Sequence, residues 1–238
     1  MTQTNAQIKE QLRLPGQAAA PGGPVDLTGM FGMHWAFRRD LDRFVAAVAA
    51  TPVGDRATWQ ALQRRWELFR RVLHDHHTGE DAGLWPALAA KADAAGRATL
   101  AAMEEEHHGI DPLLVAVAEG LARMAAAADA DARAALEVRV VAARERLGAH
   151  LAHEERDALE LVQALLSPAE WHHIERKYFQ QSKSPRQLAE VVGWALHDLP
   201  PGALDRMLTP ANPFRVAWQL FLRRPFARRE RVAFRYAS

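Results

Sequence analysis

Four stretches of the chain place apolar residues at alternating steps of three and four, which is the spacing of one face of an α-helix. Such a pattern restricts the chain to an all-α fold, in which amphipathic helices bury their apolar faces against one another. Polar side chains interrupt each stretch where a core residue is expected, and a His or Glu in a helical core is costly without a partner such as a metal ion. These polar residues are His34, His76, Glu80, His107, His150 and Glu154.

The connections between the four predicted helices are short. Four helices joined in this way pack most simply as an up-down-up-down bundle. On successive helices the histidines lie at similar distances, counted in residues, from the connection that joins the two helices. At a rise of about 1.5 Å per residue, the four histidines are therefore expected at one height of the bundle. The two glutamates lie one helical turn further along two of the helices. The sequence therefore predicts one layer of metal-binding side chains across the core.

Composition excludes several other chemistries. The chain has 238 residues and no cysteine, so disulfides, thiolate metal sites and cysteine nucleophiles are absent. Thirty Lys and Arg against 29 Asp and Glu give a net charge of +1, which does not favour a nucleic-acid partner. No apolar run is long enough for a transmembrane segment or a secretion signal, so we expect a cytoplasmic protein. Nothing in the sequence indicates a particular partner protein.

The sequence divides into three parts. Residues 1–25 are rich in Pro and Gly and are interpreted as a flexible N-terminal leader, or as an arm lying on the body. Residues 26–167 contain the four predicted helices. Residues 168–238 are predicted to form a small helical C-terminal extension, which ends in an aromatic and arginine-rich segment. These arginines could bind an anionic surface, but we favour pairing with acids of the bundle while the aromatics cover its core.

Four imidazoles and two carboxylates in one layer suit two first-row metal ions. The favoured division gives His34 and His76 to one ion and His107 and His150 to the other, with both glutamates bridging. Each ion then keeps an open position for water, dioxygen or peroxide. Donor chemistry without thiolate favours iron, ahead of manganese or zinc. The alternative is a metal-free core in which the polar groups satisfy one another.

These residues also resemble the hemerythrin-like, or HHE cation-binding, family over about residues 26–166. The matching segments are His34, then His76-x-x-x-Glu80-Asp81-x-x-Leu84-Trp85-Pro86, then Glu106-His107-x-x-Ile110, and finally His150-x-x-x-Glu154-Glu155. The resemblance implies a four-helix bundle that holds a non-haem centre of two iron ions with a bridging oxo or hydroxo group. It also implies dioxygen binding, oxygen or redox sensing, iron handling, or reaction with peroxide or nitric oxide.

Two positions depart from the oxygen-carrying members of that family. Asp111 stands where they have a second histidine in the third helix. Their last bridging acid corresponds to Glu155, whereas helical phase favours Glu154, so the choice between the two stays open. Ligation by Asp111 is likewise left open. A centre with one imidazole fewer should favour redox turnover over oxygen storage.

Two functions are therefore expected. In the first, the centre reacts with or binds dioxygen, peroxide or nitric oxide at an open iron position, which leaves a catalase- or peroxidase-like enzyme as one alternative. In the second, the bundle is a sensing module that reports through the C-terminal extension. No catalytic triad or other cofactor site is recognised. His74 and His77 lie beside the predicted core face, either as partners of the ligands or in contact with solvent.

Overall fold

The computed structural model describes residues 10–179, 184–200, 202–208 and 212–237, and these residues are almost entirely helical. The prediction of an all-α fold is confirmed. More helical segments are present than the sequence predicts, because several helices are divided by π-helical turns. The helices are α1 (Thr28–Ala50), α2 (Arg56–Gly79), α3 (Trp85–Ala89), α4 (Ala94–Ala126), α5 (Ala130–His153), α6 (Leu159–Leu165), α7 (Pro168–Ile174), α8 (Pro185–Ala195), α9 (Ala203–Met207), α10 (Pro213–Ala217) and α11 (Arg223–Ala233).

Aspartates begin three of the four long helices. The side chains of Asp55, Asp93 and Asp129 accept hydrogen bonds from backbone N–H groups in the first turns of α2, α4 and α5. Each carboxylate thus satisfies a donor that the helix itself leaves unpaired. The helices α1, α2, α4 and α5 pack in a closed ring, in which each of them contacts two of the others.

Two apolar clusters fill the interior of this ring, and the predicted polar layer lies between them. One cluster contains Phe37, Phe69 and Leu147. The other contains Met103 and Leu159, together with residues of α3 and of the segment before α1. In α1 and α4 the histidine separates side chains of the two clusters. At the ends of α2 and α5, residues of the first cluster precede Glu80 and Glu154, and residues of the second cluster follow them. Water-excluding packing therefore covers the polar layer on both sides.

π-helical turns begin at two of the polar positions. They span Glu80–Leu84 after α2 and Glu154–Ala158 after α5. A π turn inserts one extra residue, so the side chains beyond it are rotated relative to those before it. As a result the two consecutive residues Glu154 and Glu155 are both fully buried, although they point in different directions.

The described part of the N-terminal segment, residues 10–25, lies on the helical body. Leu12 and Leu14 are buried. The amide of Gln11 donates to the carbonyl of Val25 at 2.8 Å, and Gln163 of α6 both donates to Val25 and accepts from its N–H. These contacts support the interpretation of this segment as an arm on the body.

A buried charge network fixes the C-terminal helices α8 and α11 to α1 and α2. Arg65 donates to Asp40 at 2.6 Å and also pairs with Glu230 of α11. The Trp194 Nε1 group of α8 donates to the same Asp40 at 2.6 Å. All four side chains are buried. Burial disfavours the charge of Asp40, but Arg65 and Arg39 outweigh this effect and hold its pKa below the usual range.

This network largely reverses the pairing that the sequence predicts, although Arg235 of the tail does lie 3.6 Å from the carboxylate of Asp55 in the bundle. Here arginines of the bundle pair with an acid of the tail, whereas most of the arginines of α11 form no ion pair within the described residues. The prediction that aromatic residues of this segment cover the core agrees better with the structure, because Trp218, Phe226 and Phe234 are buried. No helix in the described residues is long and apolar enough to cross a membrane.

Candidate metal centre

Four buried side chains from three helices converge on one point of the polar layer. His34, His76, Glu80 and Glu154 each present a nitrogen or oxygen atom, and these atoms lie within 4.8 Å of one another. Nε2 of His34 is 3.2 Å from Oε2 of Glu154, and Nε2 of His76 is 3.0 Å from Oε1 of Glu80. We refer to these four residues as the first donor group.

Three more histidines form a second donor group next to the first. His77, His107 and His150 also place one nitrogen each within 4.8 Å of one another. The His77 and His107 rings are stacked, with centroids 3.8 Å apart, and Nε2 of His107 lies 3.1 Å from Nε2 of His150. All three residues are buried.

The two glutamates connect the donor groups. Glu80 directs Oε1 at His76 of the first group, and its Oε2 atom is 3.5 Å from Nε2 of His107 in the second. Oε2 of Glu154 is 3.2 Å from His34 and 3.9 Å from His150. Each carboxylate therefore faces imidazoles of both groups, which is the placement required of a bridging ligand between two ions.

The donor atoms in this layer fit a metal cation. Nε2 of His34, His76 and His77 and both carboxylate oxygens of Glu80 and Glu154 are buried without a hydrogen-bond partner among the described residues. The short N···O approaches above do not have hydrogen-bonding angles, so they bring donors together without satisfying them. Buried polar atoms are rarely left unpaired in native proteins. Imidazole nitrogens and carboxylate oxygens that converge in this way are a donor set for first-row ions.

Carboxylates outside the layer orient two rings of the second group. Nδ1 of His107 is 2.8 Å from Asp81, and Nδ1 of His150 is 2.8 Å from Glu106. A carboxylate only accepts hydrogen bonds, so Nδ1 of each ring is the protonated nitrogen and Nε2 keeps its lone pair toward the centre. Glu106 also accepts from His153 at 2.9 Å.

Glu155 holds His34 in the same way. Its Oε1 atom lies 3.0 Å from Nδ1 of His34, and its two oxygens accept from Arg38 at 2.7 and 3.0 Å. The backbone N–H of Ala18, in the N-terminal arm, donates to Oε2 at 2.7 Å. Glu154 therefore faces the donor groups while Glu155 orients a ring, which places the two glutamates in different roles.

The ionisable groups of the layer compete strongly for protons. Burial disfavours the charge of His34, but Glu154 and Glu155 outweigh it and raise the pKa of the imidazole to about 9. Burial and the charge of His34 lower the pKa of His76 to about 3. Burial opposes the charge of Glu154 as well, but His34 lowers its pKa to about 2. Burial and Glu154 raise the pKa of Glu80 well above its usual range. A bound cation would replace the protons that now share these sites.

The structure brings all six predicted ligands into this one layer and adds His77. Helical spacing predicts that His77 lies beside the core face, yet His77 is buried and its ring is stacked on that of His107. Helix α2 contacts both α1 and α4, so its buried face is wide enough for consecutive residues. His76 meets His34 of α1, while His77 meets α4. A signal was present, because steps of four and then three from Leu73 reach His77 and Glu80.

Other candidates lie outside the two groups. Asp111 is exposed and lies outside both donor groups, whereas His77 belongs to the second group. His74 and His108 are exposed as well. His153 reaches the site only through its hydrogen bond to Glu106.

A pocket of about 160 Å³ lies beside His76. Helix α1 lines it with Gly29, Met30 and Met33, and the C-terminal segment lines it with Trp171, Glu175 and Phe179. This segment, α7 with the π turn Glu175–Phe179, closely approaches the backbone of α2 and of the π turn that follows it. A Cβ at Gly79 would lie 2.9 Å from the Phe179 ring, and one at Gly83 would overlap the Tyr178 ring. The glycines thus permit the segment to close over the centre.

Comparison with known families agrees with this geometry. The model of the hemerythrin HHE cation-binding domain matches residues 26–162. The chain belongs to this family. Its match covers all seven residues of the two donor groups and ends in α6, before the C-terminal segment that lines the pocket. Neither the comparison with curated proteins nor that with solved structures found a match.

Membership of the hemerythrin HHE family supports metal binding, and the His and Glu groups of the structure could hold the metal. The two donor groups of this chain together contain five imidazoles and two carboxylates. The C-terminal helices and the arginine-rich surface lie outside the matched domain.

Proposed function

We propose that this protein holds two iron ions in the polar layer and binds or reacts with dioxygen or peroxide, with nitric oxide as a further ligand. His34 and His76 would hold one ion, and His77, His107 and His150 the other. Glu80 and Glu154 would bridge them. The observation that carries the proposal is the position of these two glutamates, each of which faces imidazoles of both donor groups.

The two ions would differ in coordination. With both glutamates shared, an ion at His34 and His76 would have one imidazole fewer than an ion at His77, His107 and His150, so its coordination would be the more open. The pocket of about 160 Å³ lies beside this same His76. Iron bound there would supply one-electron redox chemistry and a position for a small ligand. A pocket of this size admits a diatomic molecule or peroxide more readily than a larger substrate.

The protein's own residues position and shield the centre. Glu155, Asp81 and Glu106 fix three imidazole rings with Nε2 toward the layer. Such outer hydrogen bonds fix the orientation and raise the basicity of ligating histidines. The two apolar clusters exclude water from above and below.

The bundle arrangement belongs to the same proposal. The helices α1 and α4 pass from the second apolar cluster to the first, and α2 and α5 pass in the opposite direction. We infer from this order an up-down-up-down bundle over residues 26–167, with residues 168–238 as its helical extension.

Metal content and an ultraviolet-visible spectrum test the proposal. Protein from iron-replete cells should contain about two irons per chain, with absorption of a bridged centre that changes on addition of stoichiometric peroxide. A single tightly held zinc without spectral response would contradict it. Manganese in place of iron would retain the site but alter the chemistry. Sustained peroxide consumption by the iron-loaded protein would then identify an enzyme.

A second candidate function is a sensor that signals through the C-terminal extension. It is favoured by the contact of Tyr178 and Phe179 with the backbone at Gly83 and Gly79, one helical turn from the ligands. A change of geometry at the centre would move this segment directly. Limited proteolysis around residues 175–185, with and without dioxygen or nitric oxide, tests it. A ligand-dependent cleavage rate would support sensing, and identical digestion patterns would oppose it.

A further inference from the structure

A cleft of about 500 Å³ is lined by residues of α2, α8 and α11. Leu68, Phe226 and Val232 give it apolar surface. Ligand sites for small molecules typically have volumes of about 300–1,000 Å³. None of the residues that line this cleft belongs to the two donor groups.

The cleft is strongly basic for a protein of nearly neutral charge. Six arginines and three glutamates line it, so the formal charge of its wall is +3, compared with +1 for the entire chain. The six arginines are Arg64, Arg65, Arg71, Arg186, Arg228 and Arg229. They come from three helices and face a common space, which concentrates positive potential there.

Only part of this charge is neutralised within the described residues. Arg71 pairs with Glu190 at 2.9 Å, and Arg186 lies 3.6 Å from the same carboxylate. The side chains of Arg64, Arg228 and Arg229 form no hydrogen bond or ion pair with any residue that the structure describes, although the Arg229 guanidinium lies over the Phe226 ring.

A buried guanidinium at the base of the cleft is also incompletely bonded. Arg65 is 6% exposed, and its Nε and Nη2 atoms bond Glu230 and Asp40. Its Nη1 atom is buried without a hydrogen-bond partner in the described part of the chain. Guanidinium groups bind carboxylate and phosphate through paired N–H donors, so a buried unpaired N–H is a position for an anionic oxygen.

We propose that this cleft binds a small organic anion that carries at least two negative charges on phosphate groups and an apolar ring. The phosphates would lie between Arg64, Arg228 and Arg229, with the ring against the apolar wall. The proposal goes beyond the proposed iron chemistry and does not depend on it. The three glutamates interrupt the basic surface, so it suits a discrete anion better than a continuous nucleic-acid backbone.

Calorimetric titration with adenosine diphosphate and with inorganic pyrophosphate tests this site on the entire 238-residue chain. We expect both probes to bind, with the nucleotide tighter because its ring adds apolar contact. Affinity should fall as salt is raised, since exposed charges are screened. Absence of binding for both probes at low salt would overturn the proposal, as would binding only to duplex DNA or to anionic vesicles.

Charge-reversal variants locate the site. Arg64→Glu and Arg228→Glu should each weaken both probes by at least about tenfold, since a charge-assisted hydrogen bond contributes about 1.5–3 kcal/mol. Both side chains are exposed and unpaired in the described residues, so folding should be retained. Arg13→Glu is the matched control, because Arg13 is exposed and lies outside the cleft.

Equal weakening by Arg13→Glu would show a non-specific charge effect and overturn the assignment. Iron content provides the independent readout. The iron content should stay at the wild-type value in all three variants. Loss of anion binding can therefore be distinguished from loss of iron binding.

Discussion

Nδ1 of His34 lies 3.0 Å from Oε1 of Glu155, although 121 residues separate the two in sequence. The contact joins helix α1 to the π turn that follows α5, at the edge of the metal layer. Glu155 is fixed in turn by Arg38 and by the backbone of the N-terminal arm. The carboxylate that resembles a family ligand in sequence thus orients a histidine, while its neighbour Glu154 faces the donor groups.

Replacing Glu155 by glutamine should weaken iron binding by about tenfold to a hundredfold, because outer partners of ligating histidines contribute that much to metal affinity. The change keeps the shape of the side chain but removes its charge. Competition with a chromophoric chelator measures the affinity. Glu160→Gln, at an exposed position in α6, serves as the control. Equal affinity of E155Q and wild type would assign Glu155 a purely structural role.

His77→Gln should lower the iron content of the purified protein, because the second donor group would lose one of its three imidazoles. His108→Gln provides the comparison, since His108 is exposed and adjoins the ligand position at His107. Metal analysis and the ultraviolet-visible spectrum report the result. If H77Q retains full iron content and an unchanged spectrum, His77 only packs against the centre.

Gly83→Ala should destabilise the protein by about 1–3 kcal/mol, the usual cost of overfilling a packed contact. The added Cβ overlaps the Tyr178 ring, so the π turn Glu175–Phe179 must shift. Gly148→Ala is the control, because a Cβ added there would have no described atom within 4 Å and alanine favours helix by about 0.5–1 kcal/mol. Chemical denaturation compares the two variants, and equal stabilities would show that the segment does not pack here.

Glu175 should make stability depend on pH. Burial, followed by the charge of Asp26, raises its pKa from 4.5 to about 7 in the folded protein. The folded state therefore holds this proton more tightly than the unfolded state, and the associated stability is lost as pH rises through about 7. Glu175→Gln does not titrate, so its stability relative to wild type should increase between about pH 5 and pH 8. Urea unfolding at both values measures the difference, and a constant difference would refute the assignment.

Much of the site could be predicted because helical spacing is a local property. The steps of three and four fix the face on which a residue lies, and short connections fix its approximate height. His34, His76, His107 and His150 therefore meet in the structure as the sequence indicates. The aspartates that begin α2, α4 and α5 are likewise local signals.

The burial of His77 and the role of Glu155 could not be predicted from spacing along a single helix. The burial of His77 depends on α2 having neighbours on two sides, and a periodic pattern read along one helix does not show how wide its buried face is. The π turns that begin at Glu80 and Glu154 change the helical phase of the residues that follow, without a distinct sequence signature.

The sequence by itself determined the all-α class and the helices' polar positions, since both follow from interactions within a few residues. Helical phase already favoured Glu80 and Glu154 as the inward-facing carboxylates, but only the tertiary structure showed that Glu155 orients a histidine ring. Tertiary structure also decided that Arg65 of the bundle pairs with Glu230 of the tail and that arginines of α11 line a cleft. These outcomes depend on contacts between residues distant in the chain, whose geometry is set only when the helices pack.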